Sequence, residues 1–132
     1  MRYPESVIRY FTAVGTDGYE EINQVRMYPI ADIRQENEDA IPGYVVCPLG
    51  YLNVASTVTG DCFCVDLNVR NSADEPRIVL VSHDEADENC PPDEIPTRMV
   101  KVADSFDEFI KRFRAGQLPS DYYDAKDAGY AP

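Results

Sequence analysis

The sequence predicts an α+β fold, a single domain with a mostly antiparallel central sheet flanked by helices. Three observations carry that expectation. Residues 51–67, YLNVASTVTGDCFCVDL, form a β-branched and aromatic run broken once at Gly60-Asp61. In its second half Asp61, Phe63, Val65 and Leu67 alternate with Cys62, Cys64 and Asp66, the period of a strand. From Ser105 onward the spacing changes: Phe106, Phe109, Ile110 and Phe113 mark one face of a helix. A run of strands followed by an amphipathic helix builds a sheet layer against a helix layer.

Taken in order, Pro4 suits the first turn of a helix, with Val7, Ile8, Phe11 and Val14 as its apolar stripe and Gly15 as its stop. Thr16-Asp17-Gly18 reads as a turn. Residues 24–28 are a strand closed by Pro29, and residues 30–37 a short helix with Ile30 and Ile33 inward. Residues 36–40 and the Pro42-Gly43 pair mark a loop, and residues 44–47 a further strand stopped by Pro48. The 51–67 stretch has no strongly polar face in its middle, which suits a central strand covered on both sides. Asn71-Ser72-Ala73-Asp74 has turn composition. Residues 77–82 are a buried strand, with Ile78, Val79, Leu80 and Val81 consecutively apolar, and residues 98–102 are the last strand. Ser105 and Glu108 have capping-box spacing, Lys111, Arg112 and Arg114 suit the helix C-terminus, and Gly116 is its stop. The domain is expected to span residues 1–118, with 119–132 a polar, Tyr-rich and partly mobile tail.

Composition narrows the function. With 132 residues the chain has room for one hydrophobic core. Its 24 acidic against 12 basic residues leave a net charge of −12, which argues against nucleic acid and an anionic membrane surface as partners. Such a balance favours a basic protein partner, or simply solubility, since acidic domains are commonly just solvated. No apolar run approaches membrane-spanning length, and Met1-Arg2-Tyr3-Pro4-Glu5 does not open a signal peptide. A cytoplasmic chain with reduced thiols is therefore expected. Cys62 and Cys64 share a strand face and pack as small apolar residues, and Cys47 and Cys90 are isolated. Cys-x-Cys with two distant cysteines lacks the paired knuckles of a zinc site, so no metal and no cofactor is assigned.

His83-Asp84 raises the question of an acid–base pair or part of a metal site. Neighbouring strand residues point to opposite faces, so the two side chains are not expected to converge, and a structural role for His83 is the better reading. No Ser-centred elbow, phosphate loop or HExxH helix completes a catalytic set, and no enzyme activity is assigned. Residues 83–96 hold Asp84, Glu85, Asp87, Glu88, Asp93 and Glu94 with three prolines and no Lys or Arg. They lack the alternation and central Gly of a calcium loop. An exposed loop outside the core, either solvated or a docking surface, is expected.

Gly60-Asp61, the alternation after it and Asp66-Leu67 resemble the signature of the SUKH superfamily, the Smi/Knr-type domain. Residues 77–84, RIVLVSHD, are similar to that family's next strand, residues 103–110, ADSFDEFI, to its closing helix, and residues 3–11, YPESVIRYF, to its opening helix. The absence of Trp is a departure, since many relatives carry one near the sheet. The resemblance implies a largely non-enzymatic binding domain. Many bacterial members are immunity proteins that neutralise toxins, often nucleases, and fungal members regulate cell-wall synthesis and signalling. The compact acidic chain favours the immunity type, because a nuclease toxin presents a cationic cleft to an acidic protein. Six acids of the 84–94 loop are the expected contact. The competing classes are an intracellular regulatory or scaffold module and a metal-dependent enzyme.

Overall fold

A computed structural model describes residues 4–14, 20–40, 42–86 and 89–127. Six strands form one sheet in sequence order, β1 (Glu21–Ile22), β2 (Val25–Met27), β3 (Tyr51–Thr57), β4 (Cys62–Arg70), β5 (Pro76–Val81) and β6 (Val100–Ala103), each antiparallel to its neighbours. Helices α1 (Glu5–Val14), α2 (Ile30–Glu38), α3 (Gly43–Val46), α4 (Phe106–Arg114) and α5 (Tyr122–Asp127) complete the fold. The α+β architecture expected from the change of period is the one observed.

The spine behaves as its alternation dictates. Phe63 and Val65 enter the core beneath α1 and α4, while Cys62 and Cys64 enter a second core on the opposite face. Ile78 and Leu80 of β5 join the first core, Val79 and Val81 the second. Thr57 to Asp61 makes the β3–β4 turn, in which Gly60 takes a φ of 93°, a left-handed conformation that disfavours a side chain. β1 and β2 meet through Asn23 and Gln24, with φ of 49° and 70°. Positive φ at both central residues is the type I′ geometry that matches strand twist. The two-residue β1 was not legible in the sequence, because it is too short for a period.

α4 is built as its sequence requires. Ser105 Oγ accepts the Glu108 N–H at 3.0 Å, and Phe106, Phe109, Ile110 and Phe113 are buried. The Glu108 carboxylate pairs forward with Arg112 at 3.0 Å. At the other end Gly116 has a φ of 68°, with Gly116 N–H on Phe113 O and Gln117 N–H on Arg112 O, a Schellman cap.

Four expectations are corrected. Residues 44–47 are no strand: α3 starts on Pro42, whose carbonyl accepts the Val45 and Val46 N–H groups, and a 3-10 turn over Cys47–Leu49 ends at Gly50. Four apolar residues cannot distinguish helix from strand by periodicity. Gly43 is required there, since a Cβ would lie 1.7 Å from Glu36 O. Ile8 is 53% exposed, because the inward stripe of α1 runs through Val7, Tyr10 and Phe11, and Ile30 is 41% exposed beside a half-buried Ile33. The segment after Leu118, expected as a polar tail, contains α5, whose Tyr122 and Ala125 join the first core. The expected Gly15 stop, the 16–18 turn and the Val14 side chain lie outside the described residues.

A buried asparagine holds α2 to the sheet. Asn37 Nδ2 donates to Asn53 O at 2.9 Å, and Asn37 Oδ1 accepts Asn53 N–H at 2.7 Å, where the β3–β4 register shifts. The side chain thus supplies the hydrogen bonds that the irregular ladder lacks.

Candidate docking surface

The acidic loop begins where β5 ends. Ser82, 1% exposed, accepts the Asp84 and Glu85 N–H groups on its Oγ at 3.1 and 3.4 Å, while its carbonyl accepts the Ala86 N–H at 3.0 Å. These bonds fold the chain into a tight turn over the second face of the sheet. Ala86 and Ile95 are buried against Cys62, Cys64 and Val81. The expectation of a loop wholly outside the core is therefore corrected at both its ends. The second face needs an apolar cover, and these two residues supply part of it.

Between the anchors the carboxylates face outward. Asp84, Asp93 and Glu94 are exposed and Glu85 is half-buried, while Asp87 and Glu88 lie outside the described residues. Arg98 collects two of these acids: its Nη1 is 3.3 Å from Glu85 Oε2 and its Nη2 3.0 Å from Glu94 Oε2. It also donates to Glu85 O at 3.3 Å. Tyr123 OH donates to the other Glu85 oxygen at 3.2 Å, which ties α5 to the loop. Sequence reading missed Arg98 and Tyr123 in these roles. The one signal for Arg98 was its place as the first cation after the acidic run.

His83 and Asp84 do converge, against the sequence expectation. The strand stops at Val81, so side-chain alternation no longer governs them, and the turn brings His83 Nε2 to 3.4 Å from Asp84 Oδ1. The other ring nitrogen, Nδ1, is 2.8 Å from Asp61 Oδ1. Asp61, 1% exposed, also accepts the backbone N–H of His83 at 3.2 Å and, through Oδ2, the N–H of Tyr122 at 2.9 Å and the Thr59 hydroxyl at 3.2 Å. One buried carboxylate thus joins the β3–β4 turn, the start of the loop and the start of α5. Tyr122 OH closes the circuit by donating to Arg98 O.

Chemically this is a surface of acceptors set on a fixed base, suited to guanidinium and ammonium donors. No group of three His, Cys, Asp or Glu side chains among the described residues is arranged to hold a metal ion. The cysteines are free. Burial pushes the Cys62 thiol up to about 12 and that of Cys64 well above its ordinary value, so neither is poised as a thiolate nucleophile.

The sequence model of the SMI1 / KNR4 family (SUKH-1) matches residues 1–112. The chain belongs to that family. Comparison with curated proteins and with solved structures found no match. SUKH domains are generally non-enzymatic binding or immunity domains. The SUKH-1 match contains the spine, the acidic loop, Arg98 and most of α4, whereas α5 lies beyond it. In this SUKH-1 chain the Gly60-Asp61 motif is therefore structural: Gly60 makes the turn, and Asp61 fastens the loop and α5. No described helix is long and apolar enough to cross a membrane.

Proposed function

We propose that the chain is a cytoplasmic immunity protein that neutralises a cognate toxin, a basic nuclease-type domain, by direct binding and without enzymatic activity of its own. The observation that carries this reading is the acidic loop, whose exposed Asp84, Asp93 and Glu94 project from a base anchored by Ser82, Ala86 and Ile95. Family membership and the −12 charge support it. An acidic surface meeting a cationic cleft accelerates encounter and excludes substrate polyanions from the same cleft. Arg98 leaves the loop net acidic while limiting its conformations, which reduces the ordering cost of docking.

Co-expression with the protein encoded by the adjacent reading frame tests this directly. Growth rescued by the wild-type chain, with a stoichiometric complex on purification, is expected. Toxicity that persists, with no complex, rejects the pairing in favour of a regulatory or scaffold role. Metal-dependent turnover abolished by His83→Ala would instead make the chain an enzyme.

A further inference from the structure

Among the described side chains, every Lys and Arg except Lys111 stands in an ion pair with a carboxylate. The chain has twice as many acids as bases, so an unpaired lysine runs against its composition. Asp107 lies one turn before Lys111 on α4, the favoured order for a helical pair, yet it bonds across to Arg9 of α1. Lys111 lines a cleft between these two helices, with a volume of about 490 Å³. Arg9 and Tyr10 stand on one wall, and Asp107, Ile110, Lys111 and Arg114, at i, i+3, i+4 and i+7, on the other. The two walls thus set three cations against one carboxylate.

Each of these cations has donors to spare. Arg9 uses Nη2 alone for both Asp107 oxygens, at 3.1 and 3.0 Å, which leaves Nη1 and Nε. Arg114 turns Nε and Nη2 to Glu20, at 3.3 and 2.9 Å, which leaves Nη1. Lys111 is exposed and keeps all three of its N–H donors. The Arg9 and Asp107 side chains are 61% and 63% exposed, so that pair is weak and can admit a further acceptor. The Arg114 guanidinium lies 5.9 Å from the centre of the Tyr10 ring, an attraction that keeps it at the cleft. Both arginines already show the acceptor they take here, a carboxylate.

We propose that the α1–α4 cleft docks an acidic segment of a protein partner, whose carboxylates are received by Lys111 and by the free edges of Arg9 and Arg114. Physiological salt confines the attraction to about 8 Å. One or two carboxylates fit within that reach, whereas a nucleic-acid strand would run on into the field of a chain with a net charge of −12. A second copy brings the same −12 and is disfavoured on the same ground. The cleft lies over the first core, and the acidic loop is anchored on the second, across the sheet. This is therefore a separate surface, and it stands or falls independently of the immunity reading.

The test uses the full chain and a fluorescein-labelled synthetic peptide of alternating glutamate and alanine. The same peptide with glutamine in place of glutamate is the control. Fluorescence anisotropy and amide NMR follow binding at low and physiological salt. The variants are Lys111→Gln, Lys111→Arg, Arg9→Gln with Lys111→Gln, and Lys101→Gln, which makes the same change in net charge outside the cleft. Thermal unfolding first establishes that each is folded. The glutamate peptide should shift the amides around Arg9 and Lys111, and the glutamine peptide should not. Lys111→Gln should weaken binding about threefold and the double variant about tenfold, with Lys111→Arg restoring it and Lys101→Gln leaving it unchanged. No binding of the glutamate peptide, equal binding of the glutamine peptide, or equal weakening by Lys101→Gln would overturn the proposal. So would inorganic phosphate that shifts the same amides and displaces the peptide at equal concentration, which would make this a site for small oxyanions. Self-association of the free chain at low salt that Lys111→Gln abolishes would also overturn it, since a second copy would then fill the cleft.

Discussion

His83 Nδ1 lies 2.8 Å from Asp61 Oδ1, and the other Asp61 oxygen takes the Tyr122 N–H at 2.9 Å. A buried carboxylate is costly unless donors surround it, and here the donors come from segments 22 and 61 residues away. Removing the carboxylate leaves the buried N–H of Tyr122 and the part-buried N–H of His83 without this partner. Asp61→Ala should therefore destabilise the fold by about 3 kcal/mol. In urea unfolding the midpoint should fall, and amide exchange at Tyr122 and His83 should rise well above that of the β4 core. A near-neutral change would show that the hub is not needed.

Asn37→Ala tests the joint between α2 and β3. Its amide makes three hydrogen bonds, to Ile33 O, Asn53 O and Asn53 N–H, at 2.8, 2.9 and 2.7 Å. The two to Asn53 are buried, and their loss should cost about 2–4 kcal/mol. Asn37→Asp keeps the acceptor but not the donor, so it should recover less than half of the loss. Chemical denaturation of the two variants side by side checks the order.

Alkali should unfold the protein through its second core. The folded chain holds the Cys62 proton to about pH 12, because burial disfavours the thiolate, whereas an ordinary thiol titrates near 9.0. Between those values the unfolded state binds fewer protons than the folded state. Stability is thus fully present below the ordinary value and falls as pH rises toward the folded one, by about 1.4 kcal/mol per pH unit for this group. Cys64 and Tyr28 are raised chiefly by burial as well and act in the same direction. Urea midpoints measured from about pH 8 to about pH 11 should decline, and less steeply in Cys62→Ala. A midpoint that rises across this range would contradict the buried-thiol description.

Much of this core is visible in the chain itself. The alternation at Asp61 to Leu67 assigns each residue to a face, and the structure keeps Phe63 and Val65 apart from Cys62 and Cys64 accordingly. Ser105, Phe106, Phe109 and Phe113 gave α4 with its cap, because a helix long enough for two turns repeats its pattern. Short elements carry no such repetition, which is why α3 read as a strand and β1 was missed. The candidate surface was legible as composition only. That Arg98 gathers Glu85 and Glu94, or that α5 folds back on Asp61, depends on contacts between distant segments, which no local pattern encodes. His83 and Asp84 misled for the same reason: whether they alternate depends on where β5 stops.

Arg98→Ala should loosen the loop without unfolding the protein. The Arg98 guanidinium and its partners Glu85 and Glu94 are half-exposed, so the two ion pairs contribute about 1 kcal/mol or less. The expected outcome is a small change in thermal midpoint together with faster amide exchange from Glu85 to Glu94. A large loss of stability would instead assign the Arg98 side chain to the core.

The proposed docking role of the acidic loop is tested most directly by association kinetics with the candidate toxin from the adjacent reading frame at low and high ionic strength. The comparison is between the wild-type chain and charge reversal at Asp87, Glu88, Asp93 and Glu94. The expected result is a slower association rate for the reversed chain, a flatter dependence on salt, and thermal stability within about 1 kcal/mol of the wild type. Unchanged association at both ionic strengths, with full protection in cells, would contradict a docking role for the 84–94 loop.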